Sequence, residues 1–181
     1  MKDKSLLSLS YSVHTRLREF HLRKLMPEPG QGRFLEVGCG LGYLTHVLGD
    51  GFVRVGLDTD LQALKLNYER GHKNVTLGDS TRLPFKSESF DVILCSEVLE
   101  HLPDGMDEKT LGEMARTLKP GGRLLITVPS LEGVRATSKL RNLGHEDPTG
   151  GEYHYRMGYA WNDIKAMIAR IHSLRTIKRF Y

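Results

Sequence analysis

The sequence predicts an α/β protein with a doubly wound, mainly parallel, Rossmann-like sheet of six or seven strands and helices on both faces. Short apolar runs alternate with amphipathic helical patterns along most of the 181 residues. A glycine-rich turn follows the first run, and an acidic residue ends the second. Because parallel strands need crossover connections, this alternation favours a parallel sheet.

The individual elements follow in order along the chain. Residues 12–26 have apolar positions at helical spacing and end before two prolines, so they predict a first helix. Five apolar runs predict strands buried on both faces, at 33–37, 52–57, 74–77, 90–95 and 122–128. Helical patterns lie between them at 42–49, 60–70 and 106–118, and LKPGG marks the end of the last one. Residues 159–171 predict a further amphipathic helix, and SLRTIKRFY at 173–181 predicts a last strand.

The length favours one domain, which the sequence divides into four parts. The segment 130–158 is rich in glycine, proline and charge and is too long for a plain connection, so it predicts a flap. We therefore expect an N-terminal helical cap (1–29), a ligand-binding core (30–129), the flap (130–158), and a last helix and strand (159–181).

Composition excludes several classes of protein. The formal net charge of +4 is mild and has no dense basic block, which favours a solvated surface over a nucleic-acid partner. Cys39 and Cys95 end apolar runs and build no disulfide framework or zinc spacing, so we expect free thiols and a cytoplasmic protein. No signal peptide is evident in the first residues, and no apolar stretch reaches the length of a membrane span.

The turn after the first strand carries the first functional signal. Gly38, Gly40 and Gly42 have the spacing G-x-G-x-G, unlike the G-x-G-x-x-G of dinucleotide binders. Glu36 precedes them inside an apolar run, where a buried acid needs a cationic or hydrogen-bonding partner. Asp58 ends the second strand, where a carboxylate can accept from a ribose diol. The alternative for Asp58 is a simple N-cap of the helix at 60–70.

Several segments, taken in order, resemble the class I S-adenosylmethionine-dependent methyltransferases of the small type 11 group. LEVGCGLG is similar to the first motif of that family, GLDTD to its ribose-binding acid and GDSTRLPF to its adenine-binding segment. FDVILCSEVLEHL resembles the fourth-strand motif, and LKPGGRLLITVP resembles the fifth strand. Family members usually end in a two-strand hairpin, whereas SLRTIKRFY has room for one strand. The sequence therefore has room for six strands, and a seventh is left open.

The resemblance implies S-adenosyl-L-methionine as cofactor and S-adenosyl-L-homocysteine as product. The glycine turn would cradle the amino-acid carboxylate at a helix N-terminus. Glu36 would face the ammonium group. The other implied contacts are to the ribose by Asp58 with Thr59, to adenine by Asp79 and the Ser80 backbone, and to the region of the sulfonium by Ser96.

The same resemblance places an acceptor site after the fourth strand. His101 is the candidate catalytic base, and His145, Asp147 and His154 lie in the expected flap. Glu97, Glu100 and His101 have the i, i+3, i+4 spacing that would join them on one helical turn. A similar Glu-x-x-Glu-His arrangement accompanies a divalent metal in ubiquinone-pathway O-methyltransferases and small-RNA 2′-O-methyltransferases. We expect a metal-free substrate-facing role for His101 instead, since these letters are common across the group without a metal.

The segment after the fourth strand narrows the acceptor class. The Asp/Asn-Pro-Pro-aromatic motif of enzymes that methylate DNA base amines is absent from it, as is the Pro-Cys nucleophile of cytosine C5 enzymes. We therefore expect methyl transfer to a small molecule, lipid precursor or sugar, with oxygen favoured. The alternatives are an RNA ribose methyltransferase, a non-catalytic cofactor-binding module and, disfavoured by the glycine spacing, a nicotinamide-dependent reductase.

Overall fold

A computed structural model describes residues 13–28, 30, 32–131 and 155–177. Most of the expected flap, including His145, Asp147 and His154, therefore lies outside the described residues. The same holds for the first twelve residues of the expected cap and for 178–181.

A parallel sheet organises the described residues and confirms the predicted fold class. Its strands are β1 (Gly32–Val37), β2 (Phe52–Asp58), β3 (Val75–Leu77), β4 (Phe90–Ser96) and β5 (Leu118–Thr127). They lie in the order β3-β2-β1-β4-β5, and every neighbouring pair is parallel. The order reverses direction beside β1, which places the switch point of the sheet next to the glycine turn.

Five helices accompany the sheet within the described residues. They are α1 (Val13–Arg23), α2 (Tyr43–Leu48), α3 (Leu61–Glu69), α4 (Met106–Thr117) and α5 (Trp161–Ala169). Each lies within the range that its apolar periodicity predicts. None of the described helices has the length and hydropathy that a bilayer crossing needs.

Helices pack on both faces of the sheet. Successive strand residues point to opposite faces, so each strand contributes side chains to both cores. Leu35 and Val37 join α4 and α5 in the core on one face. Phe34 packs on the other face with Leu22 of α1 and Leu44 of α2. This period of two places Glu36 on the face of Phe34, beneath α2. Both free cysteines are buried, as predicted.

The strand count of six was wrong for the described residues, which form five strands. Residues 173–177 are not in a strand, and the rest of the expected strand lies outside the described residues. After α5 the chain turns, with the Leu174 amide donating to the Ile171 carbonyl at 2.9 Å. Leu174 packs against the core instead of continuing in extended pairing beside β5.

LKPGG follows the end of α4, as predicted, but the prediction that the next strand begins at 122 was wrong. β5 already begins at Leu118, which pairs with Phe90, and the register then shifts so that Arg123 pairs with Val92. Asp91 anchors this bulge, because its carboxylate accepts from Lys119 Nζ at 2.9 Å. The turn-like segment LKPGG is therefore part of an irregular strand.

Candidate active site

The register of the sheet brings the predicted site residues to one edge. Glu36 lies opposite Gly56 of β2 and Leu94 of β4. Asp58 and Ser96 end their strands at the same carboxyl edge. In a doubly wound sheet this edge, beside the switch point, is where ligands bind.

The glycine turn is held against β2 by its own backbone. The amides of Gly38 and Cys39 donate to the Leu57 carbonyl at 2.8 and 3.0 Å. The Gly40 amide donates to Asp58 Oδ2 at 2.7 Å. Gly38, Gly40 and Gly42 all have positive φ, a region that residues with a side chain rarely adopt.

The space around the turn differs between two of its glycines. A Cβ on Gly38 would collide with Val98 Cγ2. A Cβ on Gly40 would meet no atom within 4 Å. The turn is therefore packed at its base and open at Gly40, which leaves bare backbone facing a space that a ligand can enter.

Asp58 organises this opening instead of capping a helix. Its second oxygen, Oδ1, accepts from the Asp60 amide at 2.9 Å. The cap of α3 is Asp60, which accepts from the amides of Gln62 and Ala63 at 2.8 and 3.1 Å. The N-cap alternative for Asp58 is thus wrong. A carboxylate has about four acceptor sites, so Asp58 retains capacity for hydroxyl donors.

Glu36 is buried beneath the turn, and Thr45 of α2 donates a hydrogen bond to its Oε2. Burial raises the pKa of this carboxyl to about 8, although the bond from Thr45 acts in the opposite direction. A cationic ligand group nearby would favour the ionised form. An acid of this kind, next to an open backbone cradle, fits a zwitterionic amino-acid group.

Of the two residues expected near adenine, one is exposed and the other is buried. Asp79 is exposed, and its Oδ1 accepts from the Thr81 amide at 2.7 Å. Ser80 is buried, with its hydroxyl 3.0 Å from that of Thr110 in α4. The Ser80 side chain is therefore engaged with the protein. Thr59 is exposed directly after Asp58.

A second polar group lies at the ends of β4 and β5. The hydroxyls of Ser96 and Thr127 are 2.8 Å apart, and Thr127 also lies 2.8 Å from Glu97 Oε1. Arg18 of α1 reaches the other oxygen of Glu97 at 3.4 Å. Glu97 has a φ of 55°, an uncommon conformation for a residue with a side chain. The N-terminal helix is thus tied to the strand end where the acceptor is expected.

The expectation that Glu97, Glu100 and His101 share one helical turn was wrong. Only Leu99–His101 are helical, as a single 3₁₀ turn, and the left-handed Glu97 lies before it. Glu97 turns instead towards β5 and α1. Within the described ranges, no group of three or more His, Cys, Asp or Glu residues is arranged to hold a metal ion.

Glu100 and His101 occupy different environments on that turn. The Glu100 side chain is buried, and its Oε2 has no hydrogen-bond partner among the described residues. Burial raises the pKa of this carboxyl to about 7. His101 is half-buried beside it. The Glu100 carbonyl accepts from the amides of Tyr155 and Arg156 at 3.0 and 3.3 Å, so the end of the expected flap also packs on this turn.

The first helix covers the start of α2 as well. Tyr43 donates to Glu19 Oε2 at 2.6 Å, and Leu22 is buried in the core. Sequence reasoning missed Arg18, Thr45 and Thr127. Thr45 had a detectable signal, since it is a polar residue on the apolar face of α2. Arg18 and Thr127 had none, because their partners come from other elements.

Comparison with known proteins agrees with this geometry. A family model described as a methyltransferase domain matches residues 35–126. A demethylmenaquinone methyltransferase of Corynebacterium kroppenstedtii is 29% identical over 91% of this chain and 76% of its own length. A ubiquinone/menaquinone biosynthesis C-methyltransferase of Vibrio parahaemolyticus is 33% identical over 73% of this chain and 54% of its own length. The solved YcgJ protein of Bacillus subtilis is 25% identical, with a TM-score of 0.67 over 86% of this chain and 67% of that one.

Proposed function

Because this chain belongs to the methyltransferase-domain family, we propose that it transfers a methyl group from S-adenosylmethionine to a hydroxyl-bearing small molecule. The chain spans about half to three quarters of the length of the Vibrio and Corynebacterium relatives, so the acceptor and the methylated atom belong to this proposal. The observation that carries it is the open backbone at Gly40, joined by a 2.7 Å hydrogen bond to Asp58.

The described residues fit the parts of that cofactor. Glu36, with Thr45, would hold the ammonium group, and the glycine turn would receive the carboxylate. Asp58, with Thr59, would hold the ribose, and Asp79 with the Ser80 backbone would hold adenine. The cofactor, when bound, supplies a methyl group already activated by a positive sulfur. Ser96 would lie near that group at the end of β4.

The protein then has to orient the acceptor and remove its proton. In-line displacement needs close alignment, and a hydroxyl nucleophile also needs a base. We assign the base to the His101 imidazole, which would take the hydroxyl proton. The buried carboxyl of Glu100 lies next to it in the sequence. Arg18 and Glu97 would hold α1 against the acceptor pocket.

A second candidate is methylation at carbon of a hydroxylated ring, such as a quinol. The names of the relatives from Corynebacterium and Vibrio favour it, since the second is a C-methyltransferase of quinone biosynthesis. Loss of a ring hydroxyl proton to His101 would activate either the oxygen or the neighbouring carbon. The acceptor's orientation would then decide which atom is methylated, and methylation at carbon would end with loss of that carbon's proton to water, which restores the aromatic ring.

The test combines binding with product analysis. We expect native mass spectrometry of the purified protein to show S-adenosylmethionine or S-adenosylhomocysteine, and calorimetry to show binding of S-adenosylhomocysteine but not NADH. Methyl-labelled cofactor is then incubated with catechols, demethylated quinols, sugars and RNA, and NMR locates the label in any product. Binding without a product across this panel would instead favour a non-catalytic module, and labelled RNA would favour a ribose methyltransferase. NADH binding would overturn the assignment.

A further inference from the structure

The connection between β3 and β4 has little regular structure of its own. After Asp79, residues 80–82 form a single 3₁₀ turn, and residues 83–89 belong to neither a helix nor a strand. We call residues 83–89 the Leu83 loop. Leu83 itself is 3% exposed, and buried backbone groups outside regular structure need partners from other elements. The position of this loop therefore depends on the element that provides those partners.

Helix α4 provides them through two charged side chains. Glu113 Oε2 accepts from the Leu83 amide at 2.9 Å. Arg116 Nη2 donates to the Leu83 carbonyl at 3.1 Å, and its Nη1 donates to the Phe85 carbonyl at 2.9 Å. Residues three apart lie on the same face of a helix, so Glu113 and Arg116 reach the loop together. Both backbone polar groups of Leu83 are thus paired with α4.

Glu113 and Arg116 also hold each other in a fixed orientation. Arg116 Nε donates to Glu113 Oε1, and Arg116 Nη2 donates to Glu113 Oε2, each at 2.8 Å. These bonds lower the pKa of the Glu113 carboxyl, so the pair is ionised at neutral pH. Two parallel bonds between a planar guanidinium and a carboxylate restrict rotation of both groups. The donors that face the Leu83 loop therefore have a defined direction.

The same helix also contacts the 3₁₀ turn that precedes the loop. The hydroxyls of Thr110 and Ser80 are both buried and lie 3.0 Å apart. Thr110 is three residues before Glu113, so it lies on the same face of α4. The chain is therefore held by α4 at Ser80 and again at Leu83, directly after Asp79.

Asp79 continues the row of acids at the carboxyl edge of the sheet. The Gly78 amide donates to the Asp58 carbonyl at 3.0 Å, so Asp79 lies next to the end of β2 and the proposed ribose site. Its Oδ1 accepts from the Thr81 amide at 2.7 Å, which leaves further acceptor sites on the carboxylate for a ligand. A carboxylate can accept from the exocyclic amino group of adenine, but not from the carbonyl oxygen that replaces this group in hypoxanthine.

We propose that Glu113 and Arg116 are positioning residues for cofactor selection, because they hold the Leu83 loop and thereby fix Asp79 and the Ser80 backbone against adenine. The inference rests on the proposed function, in which those two groups contact the base. Glu113 and Arg116 act through the loop and not by contact with the cofactor. The alternative is a pair that only stabilises the fold, and its loss would affect every cofactor analogue alike.

The test compares S-adenosylhomocysteine with S-inosylhomocysteine, which carries hypoxanthine, by calorimetry on the full chain. We expect the unmodified chain to bind the adenine compound about tenfold more tightly, the effect of one hydrogen bond to a charged acceptor. Arg116→Gln should remove most of this preference, chiefly by weakening the binding of S-adenosylhomocysteine. Arg116→Lys keeps the charge but cannot bridge Glu113 and both carbonyls, so its preference should be intermediate.

Arg170→Gln is the matched control. The exposed Arg170 forms an ion pair with Glu108, which belongs to the same helix α4 but lies away from the Leu83 loop. This variant should keep the full preference for the adenine compound. A matching loss of preference in Arg170→Gln would attribute the effect to α4 in general and would contradict the proposal.

The remaining outcomes separate this inference from the proposed function. An unchanged preference in Arg116→Gln, or an equal loss of affinity for both compounds, would overturn the inference and leave methyl transfer intact. If Arg116→Gln does not fold, a full preference in Arg116→Lys would overturn it in the same way. No preference in the unmodified chain would contradict the placement of adenine at Asp79. Binding of neither compound by the unmodified chain would overturn the proposed function itself.

Discussion

The two halves of the carboxyl edge are built differently. On the side of β1 to β3, the acids after the strands are held by nearby backbone: Asp58 accepts from the Gly40 and Asp60 amides, and Asp79 from the Thr81 amide. On the side of β4 and β5, side chains hold one another, as in the group formed by Ser96, Thr127 and Glu97. The first arrangement uses backbone donors that lie at most 18 residues from their acceptors, whereas the second joins side chains about 30 residues apart.

The difference suggests a division of labour. A cofactor that many related enzymes share needs the same cradle each time, and backbone contacts provide it with little dependence on side chains. An acceptor differs between enzymes, and we propose that its site is assembled from separate segments, which would include α1 and the chain at 155–156. Single substitutions in each half test whether the two act separately.

The largest effect is expected from Gly40→Val. The branched side chain would fill the open space at the turn and would also be strained at a φ of 46°. We expect calorimetry to detect no binding of S-adenosylhomocysteine. Gly121→Val is the matched control, because Gly121 also has a positive φ and open surroundings but lies in the bulge of β5. Normal binding by Gly40→Val would show that the cradle is elsewhere.

His101→Ala tests only the acceptor half of the carboxyl edge, which is the side of β4 and β5. Loss of a general base should lower kcat by about 10²–10⁴, while the affinity for S-adenosylhomocysteine stays unchanged. Single-turnover kinetics and calorimetry measure the two quantities. The exposed His172→Ala should change neither. A full rate in His101→Ala would assign the base to another residue, and a loss of cofactor affinity would contradict the separation of the halves.

Asp58→Ala tests only the proposed cofactor half of the carboxyl edge, which is the side of β1 to β3. Removing the carboxylate leaves the ribose hydroxyls and the Gly40 amide without their acceptor, so S-adenosylhomocysteine should bind about 1–3 kcal/mol more weakly. Asp60→Ala removes a nearby carboxylate that caps α3, and it should reduce stability with little effect on affinity. Equal losses of affinity in both variants would attribute the effect to the helix and not to ribose binding.

The pH dependence of the free energy of unfolding tests the burial of Glu100 on the acceptor side. Burial raises the pKa of Glu100 to about 7 from its ordinary 4.5, so the unfolded chain ionises this group first as the pH rises. The free energy of unfolding should therefore fall between pH 5 and 7, by about 2 kcal/mol from this group. Urea titrations should show a smaller fall in Glu100→Gln.

The exposed Glu69→Gln provides the comparison for that measurement. It should follow the pH profile of the unmodified chain. If Glu100→Gln also follows that profile, then Glu100 ionises in the folded protein as readily as in the unfolded one. Its buried oxygen would in that case have a partner in solution.

Sequence alone predicted where most residues of the proposed cofactor half lie. The glycines, Glu36 and Asp58 lie at the ends of two short apolar runs, and parallel strands necessarily bring those ends to one edge. Local chemistry also located the start of α3, although it left the role of Asp58 open between ribose binding and capping that helix. The geometry excluded the cap, because Asp60 and not Asp58 accepts from the first amides of the helix, and ribose binding stays a prediction.

The contacts in the acceptor half were much harder to predict from the sequence. The spacing of Glu97, Glu100 and His101 predicted a shared helical turn, but the left-handed backbone at Glu97 sends that side chain to Thr127 instead. Thr127 is 30 residues away in sequence, and Arg18 comes from the N-terminal helix, which precedes the whole sheet. No local pattern encodes such a meeting.

The order of strands and helices and the position of the glycine turn thus followed from the sequence by itself, because each depends on residues a few positions apart or on the period of a strand. The tertiary structure decided the partners of Glu97, the burial of Glu100, the bulge at Lys119 and the absence of a strand at 173–177. These features depend on which surfaces meet when the helices and loops pack on the sheet. Contacts between distant segments set their free energies, and a local pattern contains no record of those contacts.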